Sequence, residues 1–300
     1  MKIFPFLTTR SKTKKSSHLD AKSFRNLCSL FKQMKWEIVD DEESEGLSLF
    51  NRFSSSLSIL SPDEQKLILE LTRNFHRISL TGIEKHFNVL IRNIDNDFLD
   101  QYNEIIVSPV LAPKDFHKKA TKSSQFIWYY LKGTFGKNIR LFNEPRVKFS
   151  EDFDSMKQFA NVKDKLIILV DDFVGTGKTA EEAVGYLTSG SEITKESIIV
   201  LTIAASTLGF QFLESNGIII HSRYLLPRAI SDIADINKQS EYSKIMKSIE
   251  RKLNVKKKYK FGYGRSEALM SFVNTPNNTF PYYWWEDKNL APFPRRGIRG

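Results

Sequence analysis

One cysteine, Cys28, stands among 300 residues. A single thiol excludes a disulfide framework and a cysteine-rich zinc site within one chain, and it fits a reducing cytoplasm. The five histidines, His18, His76, His86, His117 and His221, are scattered. No pair has the spacing of a zinc-binding helix. No apolar run approaches the length of a membrane span, so no membrane partner is expected. The start, Met1 to Leu7, is too short for a signal peptide and is interrupted by Pro5. Proline and glycine do not dominate, and no internal repeat is present. Disorder throughout is therefore not expected.

What is present is enough for a core. Apolar residues make up 41% of the chain, and the net charge is +10. That charge favours anionic partners: nucleotides, phosphosugars, nucleic acid or a membrane surface. Residues 1–20 read as a basic flexible tail. Residues 21–99 read as a helical region, with Phe24, Leu27, Leu30 and Phe31 at helical spacing. Ser61-Pro62-Asp63-Glu64 combines a serine cap, a first-turn proline and first-turn acids. Leu67, Ile68, Leu71 and Phe75 then form one apolar face, assigned to packing.

After Asp100 the period changes. Glu104–Ser108, Ile139–Phe142, Leu166–Val170, Ser197–Ala204 and Gly217–Tyr224 read as strands. Ser123–Lys132, Thr179–Leu187 and Leu208–Ser215 read as helices. Nearly continuous apolar strands alternating with helices predict an α/β fold: a parallel sheet flanked by helices, over residues 100–230. Residues 231–300 hold a helix from Ser243 to Leu253, the basic run Lys256-Lys257-Lys258, a short helix from Arg265 to Val273, and an aromatic segment ending in Trp284-Trp285.

The chemistry concentrates after the third strand, in Asp171-Asp172-Phe173-Val174-Gly175-Thr176-Gly177-Lys178-Thr179. In an open parallel sheet, the carboxyl end of a strand is where ligands bind. Gly175 and Gly177 let the backbone turn tightly, so that successive N–H groups face one concavity. The helix start adds a positive end. Thr176 and Thr179 offer hydroxyls, and Lys178 offers a point charge. Together these suit a monophosphate. Asp171 and Asp172 would repel a second phosphate there, but they can accept hydrogen bonds from adjacent hydroxyls, as ribose presents. A Walker A loop would need glycine where Asp172 stands. An ordinary turn and helix cap after an acidic strand end is the bland alternative.

Residues Val170 to Thr179 resemble the signature of type I phosphoribosyltransferases: a strand, two acids, three variable residues, Thr-Gly, any residue, Thr. The resemblance implies that Asp171 and Asp172 hold the ribose hydroxyls of phosphoribosyl pyrophosphate, as the catalytic acids. Gly175, Thr176, Gly177, Lys178 and Thr179 would hold the 5-phosphate. Magnesium would sit on pyrophosphate and ribose oxygens, without direct side-chain ligation. The pyrophosphate loop of such enzymes falls here on Ser108 to Lys114, without the family's Gly-Gly pattern. Ser108, Lys114, Lys122 and Ser123 are the candidate pyrophosphate contacts. Gly262-Tyr263-Gly264, Pro276 to Thr279 and the nearby tryptophans resemble divergent phosphoribosyltransferase-like proteins of bacterial conflict systems. Some of these are encoded beside retron reverse transcriptases. That implies an effector in anti-phage defence, with a reverse transcriptase and its RNA or DNA product as partners.

Arg223, at a strand end, and Asn277, Asn278 and Thr279 are candidates for an acceptor pocket. The aromatic residues from Phe280 to Trp285 would either complete that hood or seal the segment onto the core. Lys256 to Lys260 would be a solvated helix end or a nucleic-acid contact. Two functions stay open: an enzyme that transfers or hydrolyses off a phosphoribosyl group, and a non-catalytic sensor of that ligand that binds nucleic acid.

Overall fold

The computed structural model describes residues 19–38, 48–116, 122–157, 164–287 and 290–295. Most of the basic tail expected at 1–20 lies outside them.

Three helices open the described chain: α1 (Ala21–Met34), α2 (Leu49–Ser58) and α3 (Pro62–Thr72). Ser61 stands at the N-terminal cap of α3. Its backbone N–H donates to Glu64 Oε2 at 2.8 Å, and Pro62 occupies the first turn. A two-residue strand, β1 (His76–Arg77), precedes α4 (Leu80–Arg92) and the short α5 (Asn96–Leu99).

The sheet follows. Its strands are β2 (Glu104–Pro109), β3 (Val147–Phe149), β4 (Lys165–Val174), β5 (Ile198–Ser206) and β6 (Ile219–Leu226). All pair in parallel, in the order β3-β2-β4-β5-β6. The helices between them are α6 (Ser123–Lys132), α7 (Phe153–Lys157), α8 (Lys178–Thr188) and α9 (Thr207–Ser215). Alternate residues of β4 enter two cores. Leu166, Ile168 and Val170 pack with α4 and α6, while Ile167 and Leu169 pack with α7, α8 and α9. Burial on both faces explains why Leu166–Val170 of β4 and Ile198–Leu201 of β5 are unbroken apolar runs. The chain runs outward from β2 to β3, then returns to β4 and continues the other way. The switch point therefore lies between β2 and β4, where a crevice opens at the carboxyl edge.

A third core joins the two ends of the chain. Leu27, Phe31, Phe53 and Ile68 pack there with Met246 and Ile249 of α10 (Ile236–Lys252) and with Phe280, Tyr282, Tyr283, Trp284 and Trp285. The region 21–99 is thus not one unit. Helices α1 to α3 belong with the C-terminal segment, whereas α4 packs on the sheet.

Two expected elements do not form, and the helix expected from Ser243 begins at Ile236. Ile139–Phe142 is no strand. Arg140–Asn143 forms a 3-10 turn whose Leu141 and Phe142 are buried beside the sheet, and the strand lies at Val147–Phe149. Arg265–Val273 is no helix. Arg265 and Glu267 hold positive φ, and β7 (Met270–Ser271) pairs with β1 instead. Glu267 is consumed by a distant partner: it accepts from the Ile230 and Ser231 backbone N–H groups at 2.9 and 2.7 Å.

Candidate active site

At the switch point a cavity of about 360 Å³ is lined by three segments. Lys114, Asp115 and Lys122 come from the chain after β2. Asp171 and Val174 through Thr179, except Lys178, come from the end of β4 and the loop beyond. Tyr263, Asn277 and Asn278 come from the C-terminal segment. A hollow of about 600 Å³ elsewhere belongs to α1 and α3, not to the sheet. The smaller cavity is the one at which acids and the Gly175–Thr179 loop converge.

The acids have distinct positions because consecutive strand residues point to opposite faces. Asp171 is half-buried and faces the cavity. Asp172 is 5% exposed and lies behind it. Burial, then the neighbouring Asp172 charge, pushes the Asp171 carboxyl well above the ordinary carboxylate range. Burial also raises Asp172, opposed by bonds from Asp171 and the Ser123 hydroxyl. Two carboxylates so close, and buried, oppose each other's ionisation. The Asp172 backbone N–H donates to Asp171 Oδ1 at 2.9 Å, fixing the carboxylate that meets the cavity.

The loop after the acids is braced from below and above. The Ser206 hydroxyl donates to the Gly175 carbonyl and accepts from Gly209 N–H at 3.0 Å. Helix α8 begins after Gly177, which has no side chain to cap it, so its first N–H groups are left for a ligand. Above the loop sits Asn278. A Cβ on Gly175 would stand 2.3 Å from Asn278 Nδ2, so no other residue fits this contact unmoved. Asn278 Nδ2 donates to the Tyr263 carbonyl at 3.0 Å, and Tyr263 N–H donates to the Asn277 carbonyl at 2.8 Å. The C-terminal segment is thereby fastened over the loop.

Several candidate residues stand elsewhere. Lys178 is exposed and is not among the residues that line the cavity. Thr279 is fully buried and donates to the Met270 carbonyl at 2.6 Å, so it serves packing rather than an acceptor pocket. Arg223 lies level with the acids but two strands away, about 10 Å by inter-strand spacing. Its guanidinium covers the Tyr224 ring at 5.4 Å instead. Ser108 is buried in β2, outside the cavity lining, and its hydroxyl has no partner among the described residues. Ser123 reaches Asp172 rather than the cavity. Lys114 and Lys122 do line it, but each is already paired: Lys114 with Glu182 at 2.7 Å and Lys122 with Asp115 at 3.2 Å. Trp284 and Trp285 are buried in the third core, away from the cavity.

Tyr263 had no role assigned to it by the sequence. A Gly-Tyr-Gly triplet reads as a turn, and only the long-range contact with Asn277 and Asn278 carries it to the cavity. Among the described residues no three His, Cys, Asp or Glu side chains converge as metal ligands. No helix among them is long and apolar enough to cross a membrane.

Comparison with known proteins identifies a family. The model of the family PRTase-CE matches residues 57–295, which span the sheet, the loop and the C-terminal segment over it. No curated protein is a significant match. Among solved structures, orotate phosphoribosyltransferase from Aeropyrum pernix is similar, at 12% identity and a TM-score of 0.30. The match covers 58% of this chain and 77% of that one.

Proposed function

Because this chain belongs to the PRTase-CE family, we propose that it binds phosphoribosyl pyrophosphate and transfers the phosphoribosyl group. The observation that carries this is one cavity holding both an acid at the end of β4 and an uncapped, glycine-turned helix start. Asp171 accepts the ribose hydroxyls. The N–H groups from Gly175 to Thr179 and the Thr176 and Thr179 hydroxyls take the 5-phosphate. Asp172 holds Asp171 in place through its backbone N–H, which donates to Asp171 Oδ1, as a positioning residue.

Magnesium fits this donor set, because it binds through one or two carboxylates plus substrate phosphates. Asp171 and Asp115 are the carboxylates that line the cavity, and the ligand's own oxygens would supply the rest. When bound, the ion neutralises charge on the departing pyrophosphate. Service as a defence effector beside a reverse transcriptase is the biological setting proposed, on the resemblance of the C-terminal motifs.

Asp171→Asn is expected to weaken binding of phosphoribosyl pyrophosphate with magnesium about tenfold or more. Asparagine takes one acceptor from the ribose hydroxyls, and a polar group left unsatisfied in a buried site costs roughly 1–3 kcal/mol. Titration calorimetry measures this, and unchanged affinity in the Asp171→Asn, Asp172→Asn double variant sinks the assignment. Gly175→Ala tests the loop separately. Its methyl group meets the Asn278 amide, so either the loop or the C-terminal segment must shift. Affinity for ribose 5-phosphate is expected to fall about tenfold while the melting curve moves little. Full affinity in this variant would show that the loop does not hold the phosphate.

A second reading, ligand sensing without turnover, is favoured by the chain after β2. No glycine lies between Ser108 and Phe116. Among the described residues, the lysines there are occupied by Glu182 and Asp115. Pyrophosphate release by purified protein decides between the two.

A further inference from the structure

The segment that covers the phosphate-type loop is itself strained and basic. Phe261, Gly262, Gly264, Arg265 and Glu267 all hold positive φ. Non-glycine residues in that region cost energy and persist only where the surroundings enforce them. Here the enforcement is visible. Phe261 N–H is held by the buried Glu250 at 2.6 Å, Ser266 Oγ donates to the Asn278 carbonyl at 2.9 Å, and Glu267 is anchored on Ile230 and Ser231. Gly264 lies so close to the loop that a Cβ would stand 2.6 Å from Thr176 Cγ2. The consequence is the placement of Tyr263. The residue is 46% exposed and lines the cavity at its mouth.

Around this ring lies a rim of cations. Lys257, Lys258 and Lys260 are exposed, as is Arg265. None of these four is in an ion pair among the described residues, although the buried Glu250 feels Lys260 and Arg265. The cations alternate with aromatic faces: Lys258 Nζ stands 4.8 Å from the Tyr259 ring centre, and Tyr259 stands 6.5 Å from Tyr263. Only Tyr263 of the two offers a free face, since Tyr259 is buried.

We propose that this rim binds single-stranded nucleic acid, with the phosphate backbone along Lys257, Lys258, Lys260 and Arg265 and one base stacked on Tyr263. A positive track with an exposed aromatic platform is the chemistry by which single strands are held. An acidic peptide would use the cations but leave the ring idle. A duplex keeps its bases stacked internally and would leave it idle too. The surface stands independently of transfer chemistry, but it delivers a base to the mouth through which an acceptor must enter.

The test is fluorescence anisotropy of the full chain with labelled single-stranded DNA and RNA of equal length, a DNA duplex and polyglutamate. Single strands of one or both sugars are expected to bind tightly at low salt and to weaken steeply as salt rises. The triple variant Lys257→Glu, Lys258→Glu, Lys260→Glu is expected to lower the logarithmic salt slope by about 2, at about 0.7 per lost contact. Tyr263→Ala is expected to weaken binding about tenfold, with Tyr263→Trp restoring it. Calorimetry on the triple variant is expected to show unchanged affinity for phosphoribosyl pyrophosphate. Asp171→Asn is expected to lose that ligand and keep the oligonucleotide, so failure of either reading is seen separately. Equal affinity for duplex or polyglutamate overturns the proposal. So does a salt-independent signal, or a Tyr263→Ala variant that binds single strands like the parent.

Discussion

Trp284→Ala is expected to lower the unfolding free energy by about 3–5 kcal/mol, the cost of truncating a buried large aromatic residue. Trp284 is among the largest fully buried side chains, with Trp285, Tyr282 and Tyr283. Its indole N–H donates to the Thr279 carbonyl at 2.7 Å, and its ring meets Tyr259 edge-on at 5.3 Å and Trp285 at 5.5 Å. Alanine removes the ring contacts, leaves a cavity and strands a buried carbonyl. Against a typical total of about 5–15 kcal/mol, that is a large share. The melting temperature is expected to fall by roughly 10 °C, at about 2–4 °C per kcal/mol for a chain somewhat shorter than this one. Asn278→Ala makes the contrast. It loses one bond to the Tyr263 carbonyl, worth about 1 kcal/mol, and that carbonyl can turn to solvent at the cavity. Its melting curve is expected to stay near the parent's while ligand affinity falls. A Trp284→Ala protein that melts like the parent would mean that the third core does not hold the molecule's two ends together.

The contrast between these two residues also marks what local sequence can reveal. Strand β4 was legible because it is buried on both faces and therefore reads as an unbroken apolar run. The loop after it was legible because acids, glycines and threonines sit within a few positions. Asn277 and Asn278 line the cavity, whereas Thr279, next in the chain, turns into the core. That alternation follows from the Ala268–Thr279 bridge, a long-range pairing. Strand β3 was illegible because it is a three-residue edge strand centred on the exposed Lys148. Its apolar neighbour Leu141-Phe142 produced the false strand by packing from a 3-10 turn. Arg265–Val273 looked helical only because its conformation is decided by remote groups, Ile230 and Ser231 on Glu267 and β1 on β7. Lys114 and Lys122 illustrate the same limit for chemistry. Their position at the cavity could be read from spacing, but their neutralisation by Glu182 and Asp115 depends on the packing of α8 and of the turn after β2.

Glu250→Gln is expected to remove a pH dependence of stability that the parent shows between about pH 4.5 and pH 7. Glu250 is fully buried on α10. Burial is the main force on it, and with the nearby Glu267 charge it outweighs the Phe261 N–H, Lys260 and Arg265; the carboxyl is pushed from its ordinary 4.5 up to about 7. Its Oε1 accepts from Phe261 N–H, but its Oε2 meets no partner among the described residues. The folded protein therefore keeps a proton that the unfolded chain releases above pH 4.5. Stability rises with pH only where the unfolded state binds more protons; here it binds fewer, so this group's contribution falls as pH rises from 4.5 and levels off above about 7. At about 1.4 kcal/mol per pH unit, the loss comes to about 3 kcal/mol. Asp171 and its partner are raised as well and act in the same direction. The informative quantity is therefore the difference between variant and parent, not the parent's curve. Glutamine keeps an oxygen for Phe261 N–H but cannot ionise. Its amide replaces the unpaired oxygen with unpaired donors, at a cost of about 1–3 kcal/mol that does not vary with pH. The variant is thus expected to be the less stable protein near pH 4.5 and to gain steadily on the parent up to about pH 7. Denaturant melts across that range measure the gap. A constant gap would show that Glu250 is ionised in the folded protein throughout. The Phe261–Glu267 segment would then be held by a buried charge rather than by a neutral carboxyl.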